Sequence, residues 1–217
     1  MRYQGFNVAM HELGHNVEQV FSLHAIDHWS LHGVPNSAFT EAFAFLFQAR
    51  DAEMLDLAAP PEETRRLAAL HELWVTYEIA GISLVDMRTW NWLYANPDAT
   101  PETLREAVRA AARGVWNEYF APIFRVRDSE LLGIYAHMVS DPLYLPDYGI
   151  GRIIAFQIAR HLEGKDFGGE VERMTRLGWL TPDAWMRAAV GGPISAEAML
   201  DAARSALGNV PVDAPAS

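Results

Sequence analysis

Apolar positions recur at intervals of three and four residues along most of this chain, which is the period of an amphipathic α-helix. No long segment alternates polar and apolar residues with the period of two that a half-buried β-strand requires. The Asn-Gly pair typical of tight β-hairpins is also missing. The pattern therefore predicts an all-α fold of many helices.

Capping residues and prolines indicate where these helices begin and end. In the first half we expect helices over about residues 6–25, 37–57 and 62–94, with Asn36-Ser37 capping the second and Pro60-Pro61 preceding the third. Gly81 is a candidate interruption of the third helix.

In the second half, Thr100-Pro101-Glu102 predicts the start of a helix, and Pro122 predicts that this helix ends just before it. Further helices are predicted over about residues 129–139 and 152–163, separated by an irregular stretch over 140–151. Two short helices follow Pro182 and Ser195. We expect residues 1–208 to form a single domain, followed by a flexible tail over 209–217.

Composition narrows the classes of partner. The 217 residues are 50% apolar, contain no cysteine and carry a formal net charge of −11, with Lys165 as the single lysine. An acidic chain without a basic run argues against nucleic acid and anionic membranes as partners. No apolar run is long enough to span a bilayer, and no signal peptide precedes residue 11, so we expect a cytoplasmic protein.

The segment His11-Glu12-Leu13-Gly14-His15 has the form H-E-x-x-H. On a helix, His11 and His15 lie one turn apart on the same face, where two imidazoles can bind one zinc ion. Glu12 is adjacent and can act as the general base that takes a proton from water. This motif indicates a zinc peptidase.

A catalytic zinc site needs a third protein ligand, and Glu41 is the candidate. It stands 26 positions after His15, on the next predicted helix, among apolar residues. If the two helices pack antiparallel, Glu41 comes opposite the two histidines. The alternative is a surface carboxylate stabilised near a helix N-terminus.

His24, His28 and His32 are spaced by four residues. Two interpretations of these histidines are open: a second metal site, or a connecting segment with solvated histidines.

The stretch from His137 to Gly151 contains Tyr144 and Tyr148 in addition to His137. Tyrosine and histidine side chains are suitable donors to the oxyanion that forms during peptide hydrolysis. The alternative is that both tyrosines bury their rings and hydrogen-bond structurally.

These segments together resemble the thimet oligopeptidase and oligoendopeptidase F family of zinc peptidases. That family has H-E-F/L-G-H, then a glutamate ligand in a segment like F-V-E-A, then a histidine followed by a tyrosine-rich run. The counterparts here are His11 to His15, Phe39-Thr40-Glu41-Ala42, and His137 with the run from Pro142 to Gly151. The likeness covers most of this chain but only the C-terminal, catalytic portion of a family member.

The resemblance implies that His11, His15 and Glu41 bind Zn²⁺, that Glu12 is the general base, and that His137 and Tyr144 or Tyr148 contact the substrate and its oxyanion. This chain departs from the family at Pro146, where the family has a tyrosine. It also departs at Phe43-Ala44-Phe45, which replaces P-S-Q, and at Gln48, where a glutamate is common.

The sequence therefore predicts a zinc metallopeptidase that hydrolyses oligopeptides. The competing hypothesis is a catalytically inactive helical module that keeps zinc as a structural element, or a fragment that lacks an upstream half. A zinc hydrolase acting on another amide shares the same residue roles. The expected partners are a peptide substrate and either an upstream domain or further copies of this chain.

Overall fold

A computed structural model describes residues 3–208, and every regular element among them is helical. This confirms the all-α prediction for that part of the chain. The expected tail over 209–217 lies outside the described residues. The α-helices are α1 (Tyr3–His24), α2 (Ser37–Gln48), α3 (Asp51–Met54), α4 (Glu62–Ala95), α5 (Pro101–Val115), α6 (Ala121–Phe124), α7 (His137–Ser140), α8 (Leu145–Leu162), α9 (Phe167–Thr175), α10 (Pro182–Val190) and α11 (Glu197–Leu207).

Two of the predicted helix starts are confirmed by their caps. The Asn36 side chain accepts a hydrogen bond from the Ala38 backbone N–H at the start of α2. Thr100 and Thr103 form a reciprocal capping box at the start of α5, with Pro101 in the first turn. Both caps satisfy backbone donors that have no partner within the helix.

Gly81 does not interrupt α4. A Cβ atom at this position would lie 2.5 Å from the ring of Phe120, so the glycine allows that ring to pack directly on the helix. Pro122 does not end the helical segment either. A π-helical turn over Trp116–Phe120 continues α5, and Pro122 then lies in the first turn of α6, where a helix needs no backbone donor.

Other boundaries predicted from the sequence are wrong. The second helix ends at Gln48 rather than near residue 57, and the short α3 follows it. Residues 129–139 form a 3₁₀ turn over Leu131–Gly133 and the start of α7 rather than one continuous helix. The helix α9 was missed, although Asp166 caps it.

The stretch over 140–151, predicted to be irregular, is largely helical. The helix α8 begins at Leu145 and runs without a break through Gly149 and Gly151. Pro146 is the second residue of this helix and is tolerated there because the first turn has no intrahelical donors.

The chain divides into two compact units. The first comprises residues 1–75 and 152–217, and the second comprises residues 76–151. The helices α4 and α8 each contribute to both units. Among the described residues, no helix is long and apolar enough to cross a membrane.

The first unit is organised around α1 and α2. Residue pairs run in opposite order along the two helices, from Asn7 with Asp51 to His15 with Glu41, so the helices are antiparallel. On its other side, α2 packs Phe39 and Phe43 edge-on against the fully buried Trp185 of α10, with ring centroids 5.0 and 6.0 Å apart.

The second unit has its own apolar core, formed by α4, α5, the π-helical turn and the first residues of α8. Phe120 lies at its centre, stacked on Trp116 at 5.4 Å and tilted against Tyr77 at 5.0 Å. Other fully buried core members are Val85, Val115 and Leu145.

The crossing of α1 and α2 depends on Gly14. A Cβ atom there would lie 2.6 Å from Ala44 Cα and 2.7 Å from the Phe43 carbonyl oxygen, and both are backbone atoms that cannot rotate away. Gly14 therefore allows the two helices to approach to backbone contact.

We predict that Gly14→Ala lowers the free energy of unfolding by about 1–3 kcal/mol, because the helices must separate. Replacing an exposed glycine within a helix by alanine normally raises the free energy of unfolding by about 1 kcal/mol. Gly168→Ala in α9 is therefore the matched control and should not lower the stability of the chain. Urea unfolding of both variants checks this. Equal stability of Gly14→Ala and the parent chain would contradict the close crossing.

Candidate metal centre

The structure brings His11, His15 and Glu41 together. Nitrogen atoms of the two imidazoles and a carboxylate oxygen of Glu41 all lie within 4.8 Å of one another. The two histidines come from adjacent turns of α1, with ring centroids 4.8 Å apart and planes almost perpendicular. Glu41 faces them from α2, as the antiparallel packing of the two helices predicts.

The carboxylate of Glu41 lies between the two rings. Its Oε2 atom is 3.4 Å from His11 Nε2, and its Oε1 atom is 3.7 Å from His15 Nε2. The Nε2 atoms of both histidines therefore point at the same carboxylate. This is a convergent set of two nitrogen donors and one oxygen donor.

Glu41 is only 2% exposed, and it is the single charged residue of α2. A carboxylate in such apolar surroundings is costly unless a cation or hydrogen-bond donors accompany it. Burial lowers the pKa of His11, but the hydrogen bond and charge of Glu41, with a smaller effect of Gln48, outweigh burial and raise it overall. The cluster therefore attracts positive charge, whether that is a proton or a metal ion.

Glu12 is exposed at the edge of the cluster. Successive residues of an α-helix are rotated by about 100°, which puts Glu12 about 60° from His15 around α1. Its carboxylate is therefore adjacent to the histidine pair on the solvent side.

A cleft of about 740 Å³ lies within the first unit, on the Nδ1 side of His11; Asn7, Gln48 and Asp51 line it, and none of His11, Glu12, His15 and Glu41 does. Phe45 and Gln48 line the cleft and also contact His11, at 5.2 Å between ring centroids and 3.2 Å between Gln48 Oε1 and His11 Nδ1. The guanidinium of Arg152 lies 4.2 Å above the Phe45 ring and donates to Glu72 at 2.8 Å. The cleft thus has aromatic and charged walls, and it contacts the candidate ligands only through Phe45 and Gln48 at His11.

Sequence reasoning missed Glu18, which is 1% exposed on the same face of α1 as the two histidines. The hydroxyl of Ser22 donates to Glu18 Oε1 at 2.6 Å. Burial raises the pKa of Glu18 more than this hydrogen bond lowers it. The available signal was the spacing of three residues from His15, which continues the face of α1 that carries the histidines.

The three histidines at positions 24, 28 and 32 do not share a helical face. Helix α1 ends at His24, and a 3₁₀ turn over Trp29–Leu31 separates the other two. His32 Nε2 is 2.8 Å from the carbonyl oxygen of Ile26, which accounts for one of its ring nitrogens. The segment is a connection, as the alternative interpretation has it.

His137, Tyr144 and Tyr148 belong to the second unit, whereas His11, Glu12, His15 and Glu41 belong to the first. The ring of Tyr148 lies 5.2 Å from that of Tyr144 and 6.2 Å from that of His137, so the structure gathers these three side chains into one aromatic cluster. His137 is exposed, and the two tyrosines are half-buried.

The second unit also contains a buried carboxyl group that was not anticipated from the sequence. Asp86 of α4 is completely buried, and neither of its oxygens has a hydrogen bond of normal geometry. Burial raises the pKa of Asp86, although the nearby Leu143 backbone N–H and Trp90 indole lower it in part. Leu143 itself has a left-handed backbone, with φ of 61°.

No protein-family model matches this chain, and no curated protein and no solved structure matches it. The interpretation of the site therefore depends on its own residues and geometry.

We predict that Asp86→Asn changes the pH dependence of stability. Because the folded-state pKa of Asp86 is raised, its contribution to stability is present at low pH and is lost as pH rises from about 4 through that raised pKa. The unfolding free energy of the parent chain should therefore fall relative to Asp86→Asn as pH rises. Urea unfolding between pH 4 and 8 measures this, with the exposed Asp98→Asn as control. A difference that does not vary with pH would contradict it.

Proposed function

We propose that this chain is the zinc-binding catalytic part of a metallopeptidase that hydrolyses peptide bonds in oligopeptides. The observation that carries the proposal is the convergence of His11, His15 and Glu41 within 4.8 Å, with Glu12 exposed beside them. Two histidines and one glutamate are a ligand set of catalytic zinc sites in peptidases, where a fourth position is left for water or substrate.

The spacing of the donors supports a shared ion. Ligands bound at about 2.0–2.1 Å in tetrahedral geometry are about 3.4 Å from one another. The Nε2 atoms of His11 and His15 lie 3.4 and 3.7 Å from the two different oxygens of Glu41, and the three donors lie within 4.8 Å of one another. The side chains would therefore draw closer together around one zinc ion.

The roles of the individual residues follow from their chemistry. His11, His15 and Glu41 would hold the ion, which when bound supplies Lewis acidity toward a peptide carbonyl and lowers the pKa of water. Glu12 accepts the proton of the attacking water at its carboxylate and delivers it to the leaving amine nitrogen. The exposure of Glu12 supports this role, because both water and substrate can reach it.

The roles of His137, Tyr144 and Tyr148 toward the oxyanion stay a prediction from the family resemblance.

The first test is Glu41→Gln, which keeps the size of the side chain but removes the anionic ligand. We predict about one zinc per parent chain, and little zinc in the variant after dialysis against dilute chelator. Elemental mass spectrometry measures both. Glu63→Gln, an exposed change of the same kind in α4, is the control and should retain the metal. Unchanged zinc in Glu41→Gln would mean that another residue is the third ligand.

The second test separates catalysis from metal binding. We predict that Glu12→Gln retains about one zinc per chain but loses at least about 100-fold in turnover of a fluorogenic oligopeptide library, because the proton acceptor is gone. Library turnover by the parent chain and by Glu63→Gln provides the reference. A zinc-loaded parent chain that cleaves no member of the library would favour the inactive zinc-binding module.

A further inference from the structure

A chain of hydrogen bonds extends from the outer ring nitrogen of His11 away from the candidate metal site. Gln48 Oε1 is 3.2 Å from His11 Nδ1, and Gln48 Nε2 donates to Asn7 Oδ1 at 2.7 Å. Asn7 Nδ2 in turn donates to Asp51 Oδ2 at 2.6 Å. Four side chains from α1, α2 and α3 are thus connected in series.

The direction of this chain is determined at its far end. An ionised carboxylate only accepts hydrogen bonds, so Asn7 must turn its NH₂ group toward Asp51 and its oxygen toward Gln48. Gln48 must then turn its NH₂ group toward Asn7 and its oxygen toward His11. That oxygen is an acceptor, so His11 must carry a proton on Nδ1.

Two further observations support Asp51 as the anchor of the chain. Asp51 is only 6% exposed, so water has little access to its carboxylate. Interaction with this carboxylate is also the main reason why the pKa of Tyr3 is raised. The Asn7 amide is the donor that the structure directs at Asp51.

We propose that Gln48, Asn7 and Asp51 form an amide relay that fixes the tautomer of His11, with the proton on Nδ1 and the lone pair of Nε2 directed at the zinc site. This inference rests on the proposed function, since it assigns the Nε2 lone pair to zinc. The three residues are positioning residues, because each acts on the metal only through His11.

The relay also determines how much negative charge is in contact with the His11 imidazole. A carboxylate hydrogen-bonded directly to a ligating histidine increases the donor strength of the imidazole. Here the negative charge of Asp51 lies two neutral amides away, and the acceptor that touches His11 is an amide oxygen. The relay therefore orients the imidazole without placing a full negative charge next to it.

The test compares zinc affinity across a double-mutant cycle. Gln48→Met keeps the length of the side chain but removes the acceptor, and should weaken zinc binding by about 10–100-fold. Asp51→Asn removes the anchor, so either amide orientation becomes available, and should weaken binding by about 2–10-fold, the equivalent of one neutral hydrogen bond. Competition with a chromophoric chelator measures the dissociation constants.

The double variant distinguishes a relay from separate structural effects. If Asp51 acts through Gln48, the double variant should bind zinc within about 2-fold of Gln48→Met alone. Independent effects on stability would instead add. The control is Gln19→Met, the same change at an exposed position of α1, which should leave the affinity unchanged.

A spectroscopic measurement reports the tautomer directly. In ¹⁵N-labelled, zinc-loaded parent chain, His11 should show the nitrogen shifts of a protonated Nδ1 and a metal-bound Nε2, with a slowly exchanging Nδ1 proton. In Gln48→Met that proton should exchange faster, while Gln19→Met should match the parent.

The two proposals fail in different ways. A parent chain that binds no zinc would overturn both of them. A parent chain that binds zinc, with a Gln48→Met variant of equal affinity and equal proton exchange, would overturn the relay and leave the metal site intact.

Discussion

The close crossing of α1 and α2 at Gly14 is the constraint on which the rest of the site depends. A Cβ atom at position 14 would lie 2.6 Å from Ala44 Cα, which is too close. Only glycine at this position therefore allows the two helices to approach to backbone contact. Glutamate and histidine side chains are short, and they can meet across two helices only where the helices are close. A shift of one residue along α2 would rotate Glu41 by about 100° away from the histidines. Register and proximity together create the cluster.

The burial of Glu41 links the stability of the fold to the binding of a cation. A carboxylate surrounded by the apolar residues of α2 destabilises the fold unless positive charge compensates it. The imidazole of His11, whose pKa is raised mainly by Glu41 against the opposing effect of burial, can supply that charge when it is protonated, and a divalent cation would supply more of it. A group that is unfavourable for folding by itself is therefore favourable for binding a cation.

A series of hydrogen-bonded side chains supports His11 from the side away from Glu41. The last residue of α2, Gln48, and the first residue of α3, Asp51, are bridged by Asn7 of α1. The end of α2 thus serves both as a helix terminus and as the support of a candidate ligand. The group that touches His11 Nδ1 is therefore a neutral amide in place of a carboxylate.

The sequence by itself determined the features that depend on local periodicity. The all-α class follows from apolar spacing, and the pairing of His11 with His15 follows from the helical repeat. The position of Glu41 opposite the two histidines was predictable with one further assumption, namely that the two helices pack antiparallel across a short connection. Helix ends at polar caps, such as Asn36 and Thr100, were also predictable, because a cap is a local hydrogen bond.

Only the tertiary structure decided features that join distant segments. The relay needs Asn7, Gln48 and Asp51 in one register, and no local pattern encodes the rotation of one helix against another. The burial of Asp86 is equally undetectable from the sequence, because a carboxylate is expected at the surface unless tertiary packing encloses it. The helical start at Leu145 was missed because prolines indicate breaks, whereas in the first turn of a helix they are tolerated. Local hydrogen bonding is encoded residue by residue, but proximity between helices is a property of the packed chain.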